Sequence, residues 1–387
     1  MGPFFSTEDF RNEARRRIPR AIFDYADGGA YDEQTLEANR RAFDQWNFRQ
    51  KVMVDVAHRQ LNTTLANQPS ALPLIIAPTG LAGLFHANGE IHGVRAANRA
   101  GIPFCLSTMS ICSIETVRQA STEPFWFQQY LMKDRGFNQE LIDRALAADC
   151  PVLVLTVDLQ VQGLRRRDPR NGLTVPPKIT VKNAWDLLKR PRWGLSMLAT
   201  QHRSFGNLEG HLGQGKGLST LSEWIATQFD ASATWEAVQW VRSRWPRTLI
   251  VKGVMEVEDA IAAVKSGADG IIVSNHGGRQ LDGAPASLDV LPEILTAVGG
   301  QTEVLIDGGI QSGQDIAKAV ALGAKGVMIG KAYLYALAAG GQAGVERLIK
   351  LYADELSVTM ALTGCRAIAE LKPTILRRNS RAATAQG

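Results

Sequence analysis

The chain has 387 residues, 45% of them hydrophobic, and a formal net charge of +5, so it can bury a large core as one big domain or two small ones. That charge is mild and no basic helix or aromatic–basic repeat argues for nucleic acid, while four scattered cysteines (Cys105, Cys112, Cys150, Cys365) form no CxxC pair and point to neither zinc nor a disulfide framework. The N-terminus lacks an apolar signal core and no run reaches the ~18 apolar residues of a spanning helix, so a reduced, cytoplasmic protein is expected, with the membrane surface still open to it.

In chain order, residues 1–70 carry a helical stretch, EDFRNEARRRIPRAIFDYADGG (8–29), ahead of the first strand. Eight short β-rich runs follow: LPLIIAPTG from Leu72, IPFCLST from Ile102, FWFQQY from Phe125, PVLVLTVD from Pro151, TLIVKG from Thr248, GIIVSNHGG from Gly270, VLIDGGI from Val304 and GVMIG from Gly326. Between most of them lie stretches such as GEIHGVRAANRAG (89–101), NQELIDRALAADC (138–150), EVEDAIAAVKSG (256–267) and SGQDIAKAVALG (312–323). Their apolar residues recur at three- and four-residue steps, and several close on Gly in the manner of a helix C-cap. Eight alternating units imply an α/β fold, a single (β/α)8 TIM barrel in a domain spanning residues 1–378. A doubly wound open sheet is disfavoured, because no GxGxxG follows the first strand. Residues 178–233, between runs four and five, exceed an ordinary loop, and such insertions are usually functional or mobile. Residues 379–387, NSRAATAQG, read as a disordered tail.

In such a barrel the chemistry sits where strands end. The third run ends in Gln128 and Tyr130, the fourth in Thr156 and Asp158, the fifth in Lys252. The sixth ends in Ser274, His276 and Arg279, the seventh in Asp307, Gly308 and Gly309, the eighth in Gly330 and Lys331. The glycines after runs seven and eight offer backbone N–H groups at the usual phosphate position of this fold, although barrel turns need glycine in any case. Lys252 is either a fixed cation inside the rim or a salt-bridged core lysine. His276 has Arg279 three residues on and a carboxylate available from Asp158. That set makes a general base with a tautomer-fixing partner, beside a bidentate clamp for a carboxylate.

These motifs resemble the FMN-dependent L-2-hydroxy acid dehydrogenase and oxidase family, closest in look to its membrane-associated lactate and mandelate dehydrogenases. APTG, LST, FQQY, LTVD, VKG, SNHGGRQLD, DGGI and IGK arrive in the family's order, and the likeness runs from FDYADGGA (23–30) to MALTGC (360–365). The resemblance implies FMN as cofactor and oxidation of an L-2-hydroxy acid to a 2-keto acid. It casts His276 as base with Asp158 as partner, Arg279 and Arg165 as the carboxylate-binding pair, and Tyr25 and Tyr130 as substrate contacts. Ser107, Gln128, Thr156, Lys252 and Ser274 are similar to flavin contacts, with Ala77, Pro78 and Thr79 lining the ring. Asp307, Gly308, Gly309, Gly330 and Lys331 match the phosphate end. Many relatives carry arginines where this chain has Gln311 and Lys331, which puts cofactor affinity in question. Gln129 stands where an apolar residue is common.

The electron acceptor divides that family, between a quinone, a cytochrome and oxygen with release of hydrogen peroxide. In residues 182–207, Lys182, Lys189, Arg190, Arg192 and Arg203 face only Asp186 and are interleaved with Trp185, Leu187, Leu188, Trp193, Leu195, Met197 and Leu198. Such a segment suits the interface of an anionic bilayer, although an ordinary lid or subunit contact is the plainer reading. The expectation is a quinone-linked enzyme peripheral on the inner membrane face, with L-lactate the first choice of substrate and (S)-mandelate the second. Met109 and Leu81 are expected to help line the pocket, and a homo-oligomer is expected. A flavin-binding barrel without oxidase activity, or an isomerase, is the competing class; neither needs a carboxylate clamp beside a base.

Overall fold

The computed structural model describes residues 4–172, 181–208 and 228–379, the first four of the middle span by backbone alone. The expected tail falls outside the described residues except for Asn379. Part of the 178–233 insertion lies outside them as well.

Among the described residues eight parallel strands form one sheet: β1 (Leu74–Ile76), β2 (Cys105–Ser107), β3 (Trp126–Tyr130), β4 (Val152–Thr156), β5 (Thr248–Val254), β6 (Gly270–Val273), β7 (Glu303–Asp307) and β8 (Gly326–Ile329). Each pairs with its sequence neighbour, and β8 returns to β1. Closure between β1 and β2 is a single bridge, Ile76 to Phe104, with Ile76 N–H donating to the Pro103 carbonyl at 3.0 Å. The expected barrel is therefore the observed one. The runs are apolar without alternation because a parallel strand in this fold is buried on both faces, by helices outside and side chains inside.

The interior below the rim is filled by Ile75, Cys105, Trp126, Val154, Ile250, Leu305 and Met328. A short hairpin, Thr63–Leu65 with Gln68–Ser70, plugs the floor by placing Leu65 in that cluster. Its two-residue turn, Ala66–Asn67, has both residues at positive φ, as such hairpins require.

The N-terminal stretch forms two helices, Thr7–Arg17 and Arg20–Asp27, rather than one. Pro19 separates them, since it has no N–H to donate and biases Ile18 to the extended backbone it adopts. A third helix, Gln34–Asp44, precedes a strand, Trp46–Phe48, that pairs with Leu376–Arg378 near the other end of the chain. After β8 the helix Lys331–Leu362 kinks at Gly340–Gly341, where Gly341 takes φ 56°. In the insertion, helices Val181–Leu188 and Pro191–Ala199 lie across the N-terminal helices and the turn after β1.

Candidate active site

Register builds the rim. Tyr130, Thr156 and Lys252 stand side by side on β3, β4 and β5, with Ser107 beside Gln128 one level below. The side chains of Gln128, Tyr130, Thr156 and Lys252 converge on a cavity of about 390 Å³ at the C-terminal mouth. Ser107, Asp158 and Ser274 stand one layer behind the wall; the other expected site residues, with Met109 and Leu81, line it.

After β6 the chain turns sharply through three consecutive residues at positive φ: His276 (56°), Gly277 (64°) and Gly278 (72°). A side chain at 278 would strike the backbone of Leu36, so glycine is required there. A histidine at positive φ is strained, and the strain is offset by its bonds. His276 N–H donates to Ser274 Oγ at 3.1 Å, and its Nδ1 lies 2.9 Å from Asp158 Oδ1. With Nδ1–H facing a carboxylate, Nε2 keeps its lone pair for the cavity. Burial alone would raise the Asp158 carboxyl, but His276 and then Lys252 outweigh it and hold it below its ordinary value.

Asp158 reaches this position because β5 bulges at Gly253 (φ 106°), where a Cβ would come within 2.6 Å of the Asp158 side chain. The same strand holds Lys252, whose Nζ is 2.8 Å from Ser274 Oγ and 2.9 Å from Asp307 Oδ2. Burial would lower this ammonium, yet Asp307 and Asp158 raise it, so it stays charged. Asp307 Oδ1 is buried and finds no hydrogen-bond partner among the described residues. Gln128 Nε2 donates to Thr156 Oγ1 at 3.0 Å, and its Oε1 accepts from Ser107 Oγ at 3.1 Å, which fixes the amide orientation.

In the same cavity two guanidinium groups lie against the Tyr25 ring, Arg279 at 4.9 Å and Arg165 at 5.3 Å from its centre. Arg279 Nη1 donates to the Tyr25 carbonyl, tying the clamp to the end of helix Arg20–Asp27. Burial, and then the neighbouring Arg165 charge, push Arg279 down to about 10. Arg165 Nε and Nη1 are buried without a hydrogen-bond partner among the described residues; Asp168 Oδ2, at 3.7 Å, is an ion-pair neighbour only. Two cations, one with idle donors, make a receptor for a carboxylate. Tyr130, pushed up by burial and then by Asp158, keeps its phenolic proton as a donor.

Lys331 lines the cavity but donates to the Asp27 (3.0 Å) and Gly28 (2.7 Å) carbonyls, and burial, followed by Arg279, takes it well below its ordinary value. Gly330 caps the following helix with no side-chain bond, and Gly330, Lys331 and Ala332 at that helix start line the cavity.

Sequence reasoning missed several wall residues. Arg40 grips Asp315 at 2.6 and 3.1 Å and the Gly309 carbonyl at 2.9 Å, beside Gln311. Asp168 was findable, three residues after Arg165. Phe205 and Phe229 come from the insertion and carried no signal. Gln129 is explained: it points out of the barrel, and Nε2 donates to the Asn138 carbonyl at 3.0 Å on the helix outside.

Residues 14–378 match the family model of FMN-dependent dehydrogenases. An L-lactate dehydrogenase of Caulobacter vibrioides is 47% identical over 378 residues, 96% of this chain and 97% of that protein. The crystal structure of the monotopic membrane protein (S)-mandelate dehydrogenase is similar at a TM-score of 0.93 and 39% identity, over 97% of this chain and 100% of that one. A crystal structure of mandelate oxidase reaches a TM-score of 0.81 at 36% identity, over 97% and 99% of the two chains.

Proposed function

The chain belongs to the FMN-dependent dehydrogenase family, and on that premise we propose that its site oxidises an L-2-hydroxy acid, L-lactate first, to the 2-keto acid. FMN is its cofactor. The residues fit it: the unpartnered Asp307 Oδ1 suits a polyol hydroxyl, beside the fixed cation of Lys252. Ala77, Pro78, Thr79, Gln128, Thr156 and Lys252 would hold the ring, braced by Ser107 and Ser274. Asp307, Gly308, Gly309, Gly330, Lys331 and Arg40 would hold the polyol and phosphate. When bound, FMN supplies the two-electron acceptor that no side chain here provides.

The idle Nε and Nη1 of Arg165 beside Arg279 are the observation that carries this reading. They would take the substrate carboxylate, while Tyr25 and Tyr130 flank it and Tyr130 donates to an oxygen. This holds C2 in one orientation and removes much of the entropic barrier. His276 Nε2 takes one proton as the electron pair leaves C2, and Asp158 stabilises the imidazolium that results. Replacing His276 by Gln tests the assignment: flavin content should stay, and flavin reduction by L-lactate should fall by at least about 10³-fold. Undiminished reduction would remove His276 as the base.

A second reading, (S)-mandelate as substrate, draws on the aromatic wall, where Phe229 meets the Tyr130 ring edge-on at 5.4 Å, and on the mandelate dehydrogenase fold likeness. For the acceptor we favour a quinone, and for location the inner membrane surface. Support comes from the insertion, where Trp185 (62%), Leu188 (72%), Leu195 (67%) and Leu198 (69%) are exposed beside Lys189, Arg190 and Arg192. No described helix is long and apolar enough to cross a membrane, so contact would be interfacial. We read residues 1–378 as one catalytic domain, with residues 1–70 as its cap, and assembled as a homo-oligomer.

A further inference from the structure

Beyond its two helices, the insertion presses residues 205–208 against the turn that follows β2. Gly206 N–H faces the Ser110 and Ile111 carbonyls, each at 3.2 Å, and a side chain at 206 would come within 2.5 Å of the Ser113 backbone nitrogen. Asn207, next to it, is buried and uses both ends of its amide. Nδ2 faces Ser110 Oγ at 3.0 Å and the Thr108 and Ser107 carbonyls at 3.2 and 3.3 Å. Oδ1 accepts from Ile114 N–H at 2.9 Å and stands 3.5 Å from Arg144 Nη2. Ser110 Oγ gives its own proton to the Cys112 carbonyl at 2.7 Å, so Nδ2 is the donor to Ser110 and the amide has one orientation.

Asn207, Ser107, Thr108 and Ser110 all stand outside the cavity wall, yet they set what one part of that wall presents. Ser107 Oγ donates to Gln128 Oε1 at 3.1 Å, and Thr108 Oγ1 donates to the Gln128 carbonyl at 2.7 Å. Gln128 lines the cavity and passes the same order on to Thr156. The turn at 107–110 is thus held from the barrel by Gln128 and from the insertion by Asn207. Only an amide serves at 207. A carboxylate of the same size would keep the acceptor for Ile114 N–H but set an oxygen against two carbonyl oxygens that have no proton to offer. A hydrocarbon would leave both ends unmet.

We infer that Asn207 is a positioning residue for the cofactor. By holding the Ser107 and Thr108 carbonyls it keeps the Gln128 amide in one orientation, so the end of the insertion is part of the support of the cofactor site. The inference rests on the FMN reading above and adds to it a residue that lies outside the cavity.

The test uses the FMN-loaded protein as wild type, Asn207→Asp and, as a control for general destabilisation, Leu65→Ala at the barrel floor. FMN affinity is read from the fluorescence the flavin regains on release after dilution, and the flavin's surroundings from its visible absorbance bands. Asn207→Asp should weaken FMN binding about tenfold or more and displace the bands. The half-saturating L-lactate concentration for flavin reduction should change less than about twofold, because the carboxylate clamp is untouched. Leu65→Ala should leave the bands in place and the FMN affinity within about twofold of wild type. Unaltered bands and affinity in Asn207→Asp, or a loosening that Leu65→Ala matches with no displacement of the bands, would overturn the inference. Should the buried anion keep Asn207→Asp from folding, Asn207→Ala adds no charge and should displace the bands in the same way; wild-type bands there would overturn the inference equally. If L-lactate does not bleach the wild type, the substrate reading fails while FMN affinity and the bands still decide the role of Asn207.

Discussion

Nδ1 of His276 lies 2.9 Å from Asp158 Oδ1, although the two residues leave different strands, and a bulge at a third, at Gly253, is what lets them meet. The pair joins a strained turn to a buried carboxylate. Replacing Asp158 by Asn keeps the shape but removes the charge that fixes the tautomer and stabilises the imidazolium. Flavin reduction by L-lactate should then slow by about 10²-fold or more, with FMN content unchanged, in anaerobic stopped-flow absorbance.

Arg165→Lys keeps a cation but loses the fork. The half-saturating L-lactate concentration for flavin reduction should rise about 10- to 100-fold, with a smaller change in limiting rate. An unchanged saturation curve would mean that the idle guanidinium donors do not meet the carboxylate.

Asp27 anchors the helix that carries Tyr25. Burial opposes its charge, but Arg11 and Tyr335 outweigh burial and bring the carboxyl down to about 2. A depressed value means the unfolded chain binds the proton more tightly, so the stabilisation is full above about pH 4 and is lost as pH falls toward 2. The size is roughly 2–3 kcal/mol. Asp27→Asn should lower Tm at pH 7 and flatten its dependence between about pH 4 and 2, read by circular dichroism at stepped pH.

Leu65 closes the barrel floor from a two-stranded hairpin whose turn is tied to β7 by Ala66 N–H donating to Glu303 Oε1 at 2.9 Å. Leu65→Ala should cost about 2–5 kcal/mol in urea unfolding, with activity per folded molecule retained, because the floor is far from the mouth.

Leu188→Glu with Leu198→Glu places two charges on the exposed apolar face. Sedimentation with vesicles of anionic lipid should fall at least about tenfold, while bleaching by L-lactate is unaffected. Retained binding would assign that face to something other than lipid.

The barrel was legible because buried parallel strands must be apolar throughout, so runs such as VLVLT and GIIV admit little else. Rim residues were legible because chemistry collects at strand ends. Partnerships between distant segments were not: Arg40 with Asp315, or Asp27 with Tyr335, join residues hundreds of positions apart, and no local pattern marks them. Gln129 looked anomalous only because alternation along β3 hides which face meets a helix. Lys331 was expected at the phosphate, and its bonds to the Asp27 and Gly28 carbonyls depend on where helix Arg20–Asp27 stops. The break at Pro19 was written in the sequence, while the kink at Gly340–Gly341 follows from adjacent glycines only once the helix must bend around the barrel.

The most direct measurement is anaerobic mixing of the FMN-loaded protein with L-lactate and, separately, with (S)-mandelate, following flavin absorbance. The account predicts rapid bleaching by L-lactate, slower bleaching by (S)-mandelate, and recovery of the 2-keto acid in amounts equal to the flavin reduced. A flavin that stays oxidised with both acids would contradict it.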